Sequence, residues 1–253
     1  MLTNKKFKLA CVASLLSLCI STIAYASGDT VKLLHAGNDV ANQASLQRGA
    51  RNFVNYCYGC HSAQYVRYNR VATDLGLTEQ QTIDFLMFTG KRPSDTMKNA
   101  MSVEDGQRWF GKEPPDLSLI ARSRTPDYLY TFLKSFYVDS SRSTGTNNTV
   151  LPGASMPHVL AELQGLQKAV YEGEADKDGN MQKHFKGFEQ LSKGTLAPDE
   201  YDNFVRDTVN FLEYIGEPVQ MKRRSLGVGV LFFLLVFLGF TYFLKKEYWK
   251  DVK

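Results

Sequence analysis

Cys57-Tyr58-Gly59-Cys60-His61 constrains this chain more than any other stretch of it. Two thiols three positions apart, with a histidine directly after, form the attachment signal for a c-type haem. The thiols can add to the two vinyl groups of one porphyrin, and the adjacent imidazole can then bind the iron. A chain so equipped folds around a large, flat, mostly apolar group. Two other uses of the cysteines fit the surroundings less well. A thioredoxin-like redox pair needs a preceding strand and a βαβ context, whereas Leu46, Ala50, Phe53 and Val54 recur with helical period ahead of the motif. A zinc site needs two further soft ligands. The other cysteines, Cys11 and Cys19, lie in a stretch that reads as a removable leader.

That leader is residues 1–26. Lys5, Lys6 and Lys8 make a basic start, Leu9 to Ile23 an apolar run, and Ala24-Tyr25-Ala26 a small-x-small cleavage site. A retained N-terminal anchor is the alternative. Export agrees with a haem that bacteria attach outside the cytoplasm. The exported chain would keep two cysteines, both taken by the haem, and no structural disulfide.

At the other end, Leu226 to Leu244 is a run of 19 uncharged residues, close to the roughly 20 needed to cross a bilayer. Lys222-Arg223-Arg224 and Lys245-Lys246 bracket it, and Tyr242, Tyr248 and Trp249 suit the interfacial belt. Basic flanks on both sides leave the orientation to the leader. The expected layout is a periplasmic haem domain over 27–221, a transmembrane anchor over 222–245 and a cytoplasmic tail over 246–253. This makes a single-pass protein of the bacterial inner membrane, with lipid around its anchor.

Charge becomes informative once the chain is divided this way. Of 30 basic and 26 acidic residues, the leader holds three lysines, and 222–253 holds seven basic and two acidic residues. The intervening body is left with 20 basic and 24 acidic residues, a net charge of −4. The basic character therefore belongs to the targeting and membrane ends, and nucleic acid is not implied. An acidic exported surface favours a basic partner. Glu172, Glu174, Asp176 and Asp178 form a local acidic cluster, read first as a solvated loop and second as a docking site.

The body reads as mainly α. Thr78 with Gln81 predicts a capping box opening a helix over Glu79–Thr89. Thr125-Pro126-Asp127 opens another, with Leu129, Phe132, Leu133 and Phe136 on one face. Pro198-Asp199 opens the last soluble helix, whose inner face is Phe204, Val205, Thr208, Leu212 and Ile215, and Gly216 with Pro218 ends it. Between Leu166 and Leu191, Val170-Tyr171 and His184–Leu191 flank the turn signal Asp178-Gly179-Asn180 and predict a small β-hairpin insertion. Val138–Thr149 is a Ser/Thr/Asn-rich loop. A helix before the haem motif and one at the end of the soluble part is the layout of a class I cytochrome c, in which those two helices cross.

The iron needs a second axial ligand. Met156 stands in Leu151-Pro152-Gly153-Ala154-Ser155-Met156-Pro157, where prolines and glycine make a stiff, non-helical strap able to hold a thioether in place. His158 is its chief rival. Met87 sits among the apolar residues of a helix and reads as core. His35 and His184 have no supporting context.

With these features on the page, the chain resembles the cytochrome c1 family, the haem subunits of the quinol–cytochrome c reductase (cytochrome bc complex). The likeness rests on Gln47-Arg48-Gly49, Cys57–Ser62 with Tyr65 and Tyr68, Pro114-Pro115-Asp116-Leu117-Ser118 with Ile120 and Arg122, Pro152-Gly153 with Met156-Pro157, and the C-terminal anchor. It implies one covalently bound haem c linked through Cys57 and Cys60 and ligated by His61 and Met156. It also implies Pro115 against the ring, and Arg122 and Tyr128 near a propionate. The implied role is electron relay, not catalysis by this subunit alone. The implied partners are cytochrome b and Rieske iron–sulfur subunits and a soluble c-type cytochrome acceptor.

Overall fold

The structure is a computed structural model that describes residues 32–175 and 181–251. The expected leader lies outside the described residues. So do Asp176, Asp178, the turn between the predicted hairpin strands, and the side chain of Glu174.

Two helices organise the domain. Helix α1 (Gln43–Tyr56) is capped by Asn42, whose side chain accepts the Ser45 N–H, and it ends at Cys57, the first residue of the haem motif. Helix α8 (Pro198–Gly216) starts on a proline at its first turn, and its Glu200 accepts the N–H of Ala197. The two helices cross at Gly49. A Cβ there would lie 2.0 Å from the Asp207 carbonyl oxygen, so only glycine permits the approach. Leu46, Phe53 and Val54 of α1 meet Val205, Val209, Phe211 and Leu212 of α8, all buried. Each such side chain contributes about 1.5–3 kcal/mol of transfer free energy. A polar seam fixes the register along the crossing. Arg48 grips Asp207 at 2.5 and 3.0 Å, Ser45 donates to the same carboxylate at 2.6 Å, and Asn52 reaches Thr208 at 3.2 Å.

The remaining elements wrap this pair. Strand β1 (Ala63–Arg67) pairs antiparallel with β2 (Thr96–Met97), enclosing α2 (Tyr68–Leu75) and α3 (Glu79–Leu86). The capping box forms as expected, with Gln81 N–H on Thr78 Oγ1 at 3.1 Å and Thr78 N–H on Gln81 Oε1 at 2.9 Å. The helix it opens stops at Leu86, three residues short of the expected end. Met87 leaves the helical region, and Thr89 turns its hydroxyl to the Lys98 carbonyl instead. Helix α4 (Val103–Phe110) leads to the Pro114–Ser118 strap. Helices α5 (Ile120–Arg124) and α6 (Pro126–Lys134) then pack on α8. Thr125 between them has φ 76° and ψ 150°, a region natural to glycine, and it caps α6 through the Tyr128 N–H.

The Ser/Thr/Asn-rich segment is more ordered than its composition suggests. Strands β3 (Phe136–Val138) and β4 (Thr146–Asn148) form an antiparallel hairpin, with Phe136 opposite Asn148. Helix α7 (Ala161–Gln164) follows. The expected hairpin is then present as β5 (Gln167–Ala175) and β6 (Met181–Gln190), with a register shift at Val170/Tyr171.

Three residues, Glu217, Pro218 and Val219, separate α8 from α9 (Gln220–Tyr248). This continuous helix of 29 residues encloses the span expected over 222–245. None of it is buried against the rest of the chain, and it is long and apolar enough to cross a membrane.

Candidate functional site

The haem motif is a turn at the C-terminus of α1. The Cys57 carbonyl accepts the N–H groups of Cys60 at 3.1 Å and His61 at 2.9 Å, which turns both sulfurs and the imidazole off the helix end. Between the cysteines, Tyr58 points inward and is buried. Its hydroxyl lies 2.7 Å from the Tyr68 hydroxyl and from Thr89 Oγ1, and 2.8 Å from the Lys98 carbonyl. This network pins the loop from beneath.

Both thiols are free. Burial pushes the Cys57 thiol up to about 12, with Cys60 adding to the effect, and burial raises Cys60 as well. A thiol–disulfide enzyme needs the opposite, a thiolate stabilised near neutrality.

His61 Nδ1 lies 2.7 Å from the carbonyl oxygen of Pro115. A carbonyl can only accept, so Nδ1 carries the proton and Nε2 presents its lone pair. Metal-binding histidines are held in this way. Burial pulls the imidazole pKa below its ordinary value, with the Pro115 carbonyl and then the Asp116 carboxylate opposing. The neutral, ligand-competent form is therefore favoured. The donor set fits a haem c: two sulfurs for the vinyl carbons and one oriented imidazole nitrogen for the iron.

The Pro114–Ser118 segment is what holds that imidazole. Leu117 N–H donates to the Ser62 carbonyl at 2.8 Å, and Gln64 N–H to Asp116 Oδ2 at 2.9 Å. Asp116 Oδ1 takes the Ser118 N–H at 2.9 Å, and buried Ser118 Oγ takes the Tyr65 N–H at 3.1 Å. From the other side, Asn99 exchanges two hydrogen bonds with Ser62 Oγ, both 3.0 Å. Sequence reasoning singled out this segment but assigned no part to Asp116 or Ser118, and it passed over Asn99. Apart from the Asp116–Ser118 bond, these contacts span 37 to 55 residues of chain, and no local spacing encodes them.

The other expected residues are placed as follows. Met156 packs against the core but remains partly uncovered, as do Leu117, Ile120, Tyr128 and Phe132. Tyr128 stacks on Phe132 with 6.3 Å between ring centroids, and the Arg124 guanidinium lies 5.4 Å from its ring centre. Arg122 is exposed and pairs with Glu217 at 3.1 Å, a partner the sequence did not suggest. Glu217 also binds Arg223 at 2.5 Å, and Arg223 first, then Arg122, holds its carboxyl below the usual range. His158 is 9% exposed and stacks flat on Phe136, ring centroids 5.0 Å apart. Burial pulls its pKa down to about 4, opposed by the Gln164 side chain, and its Nε2 has no hydrogen-bond partner. Met97 is fully buried in the core. His35 pairs with Asp127 on the surface, at 3.2 Å.

Comparison with known proteins places the chain. Residues 37–252 match the Cytochrome C1 family. The chain is 49% identical over 231 residues to a cytochrome c1 of Allochromatium vinosum, across 91% of this chain and 94% of that one. It is 46% identical over 230 residues to a Nitrosomonas europaea protein named ammonia monooxygenase gamma subunit, across 91% and 93%. A cytochrome c1 of Rhodospirillum rubrum is 28% identical over 243 residues, across 84% and 83%.

Proposed function

The chain belongs to the cytochrome c1 family, the electron-transfer haem subunits of the cytochrome bc complex, and on that premise we propose that it relays single electrons from a Rieske iron–sulfur protein to a soluble c-type cytochrome. One haem c supplies the reversible one-electron chemistry. The protein supplies attachment, ligand choice and a docking face.

Cys57 and Cys60 form the thioethers. Each S–H would add across one vinyl group, the sulfur to one carbon and the hydrogen to the other, with no net oxidation. His61 Nε2 would ligate the iron, oriented by the Pro115 carbonyl. Met156 would supply the second iron ligand, and a thioether paired with an imidazole raises the potential relative to two imidazoles. Arg122 keeps N–H groups beyond those on Glu217, and these can take a propionate. Tyr128, on the next helix, offers its hydroxyl to the same group. Cytochrome b and lipid surround α9, with the haem domain on the periplasmic side.

The observation that carries this reading is the 2.7 Å contact of His61 Nδ1 with Pro115 O. It readies one imidazole nitrogen beside two sulfurs. A second reading puts His158 in the distal position, favoured by its unpartnered Nε2. Met156 is preferred because its side chain is still partly uncovered, whereas His158 is already enclosed by protein.

Haem staining of membranes on a denaturing gel tests the attachment. The parent chain should stain and the Cys57→Ala/Cys60→Ala variant should not; equal staining refutes the assignment. Co-purification with cytochrome b and a Rieske protein tests the relay.

A further inference from the structure

We propose that Asn148 is the positioning residue for Met156: its buried side chain roots the strap that brings the thioether to the iron. The proposal rests on the reading of Met156 as distal ligand. A thioether is a weak, uncharged donor on a side chain with several rotatable bonds. Such a bond holds only if the backbone delivering it is already in place.

Asn148 does this from the end of β4. It is fully buried, and both ends of its amide are used. Oδ1 accepts the N–H groups of Val150 at 2.9 Å and Leu151 at 3.1 Å, and Nδ2 donates to the Phe132 carbonyl at 2.8 Å. Its neighbour Asn147 extends the grip, with Oδ1 accepting the Gly153 N–H at 2.8 Å. The Ala154 N–H closes on the Leu151 carbonyl at 3.1 Å, and Arg142 holds the Gly153 carbonyl at 3.0 Å. Gly153 at φ 79° makes the turn that these bonds require.

The far side of the strap returns to the same place. His158, two residues past Met156, stacks on Phe136, which pairs with Asn148 across the β3–β4 ladder. Both ends of the ligand loop therefore stand on one rung of one hairpin. The Phe132 carbonyl that Asn148 binds belongs to α6, one helix turn beyond Tyr128. The unpartnered imidazole of His158 serves in this arrangement as a flat prop.

The test uses the full-length haem protein in detergent. It reads the sulfur-to-iron charge-transfer band of the ferric form and the affinity for added imidazole. Asn148→Ala should keep its covalent haem, lose most of the band and bind imidazole about tenfold more tightly, the effect of losing one to two hydrogen bonds. Asn148→Asp preserves the acceptor for Val150 and Leu151 and should keep the band. A full band in Asn148→Ala, with imidazole affinity within about twofold of the parent, overturns the proposal. Should Asn148→Ala not accumulate, Asn147→Ala takes its place: a weakened band supports the proposal and an unchanged one overturns it. A parent protein without the band, or a Met156→Leu variant that retains it, would instead sink the ligand assignment.

Discussion

Substituting Gly49 by alanine probes the helix crossing on which the haem motif hangs. The added Cβ would meet Asp207 O at 2.0 Å, Asp207 C at 2.8 Å and Phe211 Cβ at 2.7 Å. Ordinary carbon contacts lie at about 3.5–4.0 Å, so α1 and α8 must part by roughly 1.5 Å. Two of the three obstructing atoms are backbone and cannot rotate aside. Overpacking of this kind costs about 1–3 kcal/mol, and the upper end applies here. Alanine in a helix interior returns about 1 kcal/mol. The net loss is then about 2 kcal/mol, or a fall in Tm of about 4–8 °C for a domain of this size. Thermal melting of the detergent-solubilised haem protein, followed by far-ultraviolet circular dichroism, measures it. Gly187→Ala, where a Cβ meets nothing within 4 Å, is the control. A Gly49→Ala protein that melts at or above the parent temperature refutes the close-crossing argument.

Met156→Leu conserves volume, so the fold should survive while the reduction potential falls and carbon monoxide gains access to ferrous iron; an unaltered potential moves the distal ligand elsewhere. Thr125→Gly should raise Tm, because relief of the φ 76°, ψ 150° backbone, about 1–3 kcal/mol, exceeds the loss of one long cap bond of 3.4 Å; a lower Tm would show that the cap dominates. The Ala36 N–H, and then His35, hold the Asp127 carboxyl below its ordinary value. Its contribution is thus present above an unfolded pKa of about 3.9 and lost as the pH falls through the lower folded value. Hydrogen-exchange protection at Ala36, corrected for intrinsic rate, should collapse in that acidic window; protection independent of pH would contradict this.

The parts of the fold carried by local periodicity were legible. The α1 stripe of Leu46, Ala50, Phe53 and Val54 is buried as its spacing requires, and the caps at Thr78, Thr125 and Pro198 stand where their residue types put them. The paired strands of the β5–β6 hairpin were also readable. What escaped were short elements stabilised by distant partners. Strand β2 has two residues, and β4 exists because Thr146–Asn148 pairs with Phe136–Val138 and Asn148 binds a helix carbonyl. An Asn/Thr-rich composition points to a loop unless that partner is known. In the site, Cys57, Cys60 and His61 are contiguous and announced themselves. Asp116, Ser118 and Asn99 act only through tertiary contact with the segment after His61. The pairing of Arg122 with Glu217 joins residues 95 apart in sequence and could not be read from either neighbourhood.

The joint between α8 and α9 has a mechanical consequence. Only Glu217, Pro218 and Val219 separate the two helices. Glu217 grips Arg122 on the domain side and Arg223 on the membrane side, while Arg70 touches the Pro218 carbonyl at 3.4 Å. A coupling so short, with one of its backbone torsions locked by a proline ring, resists bending. The soluble head is in effect bolted to its mast, with no slack to swing toward the molecules it trades electrons with. On the proposed relay, the travelling is left to the donor and the acceptor.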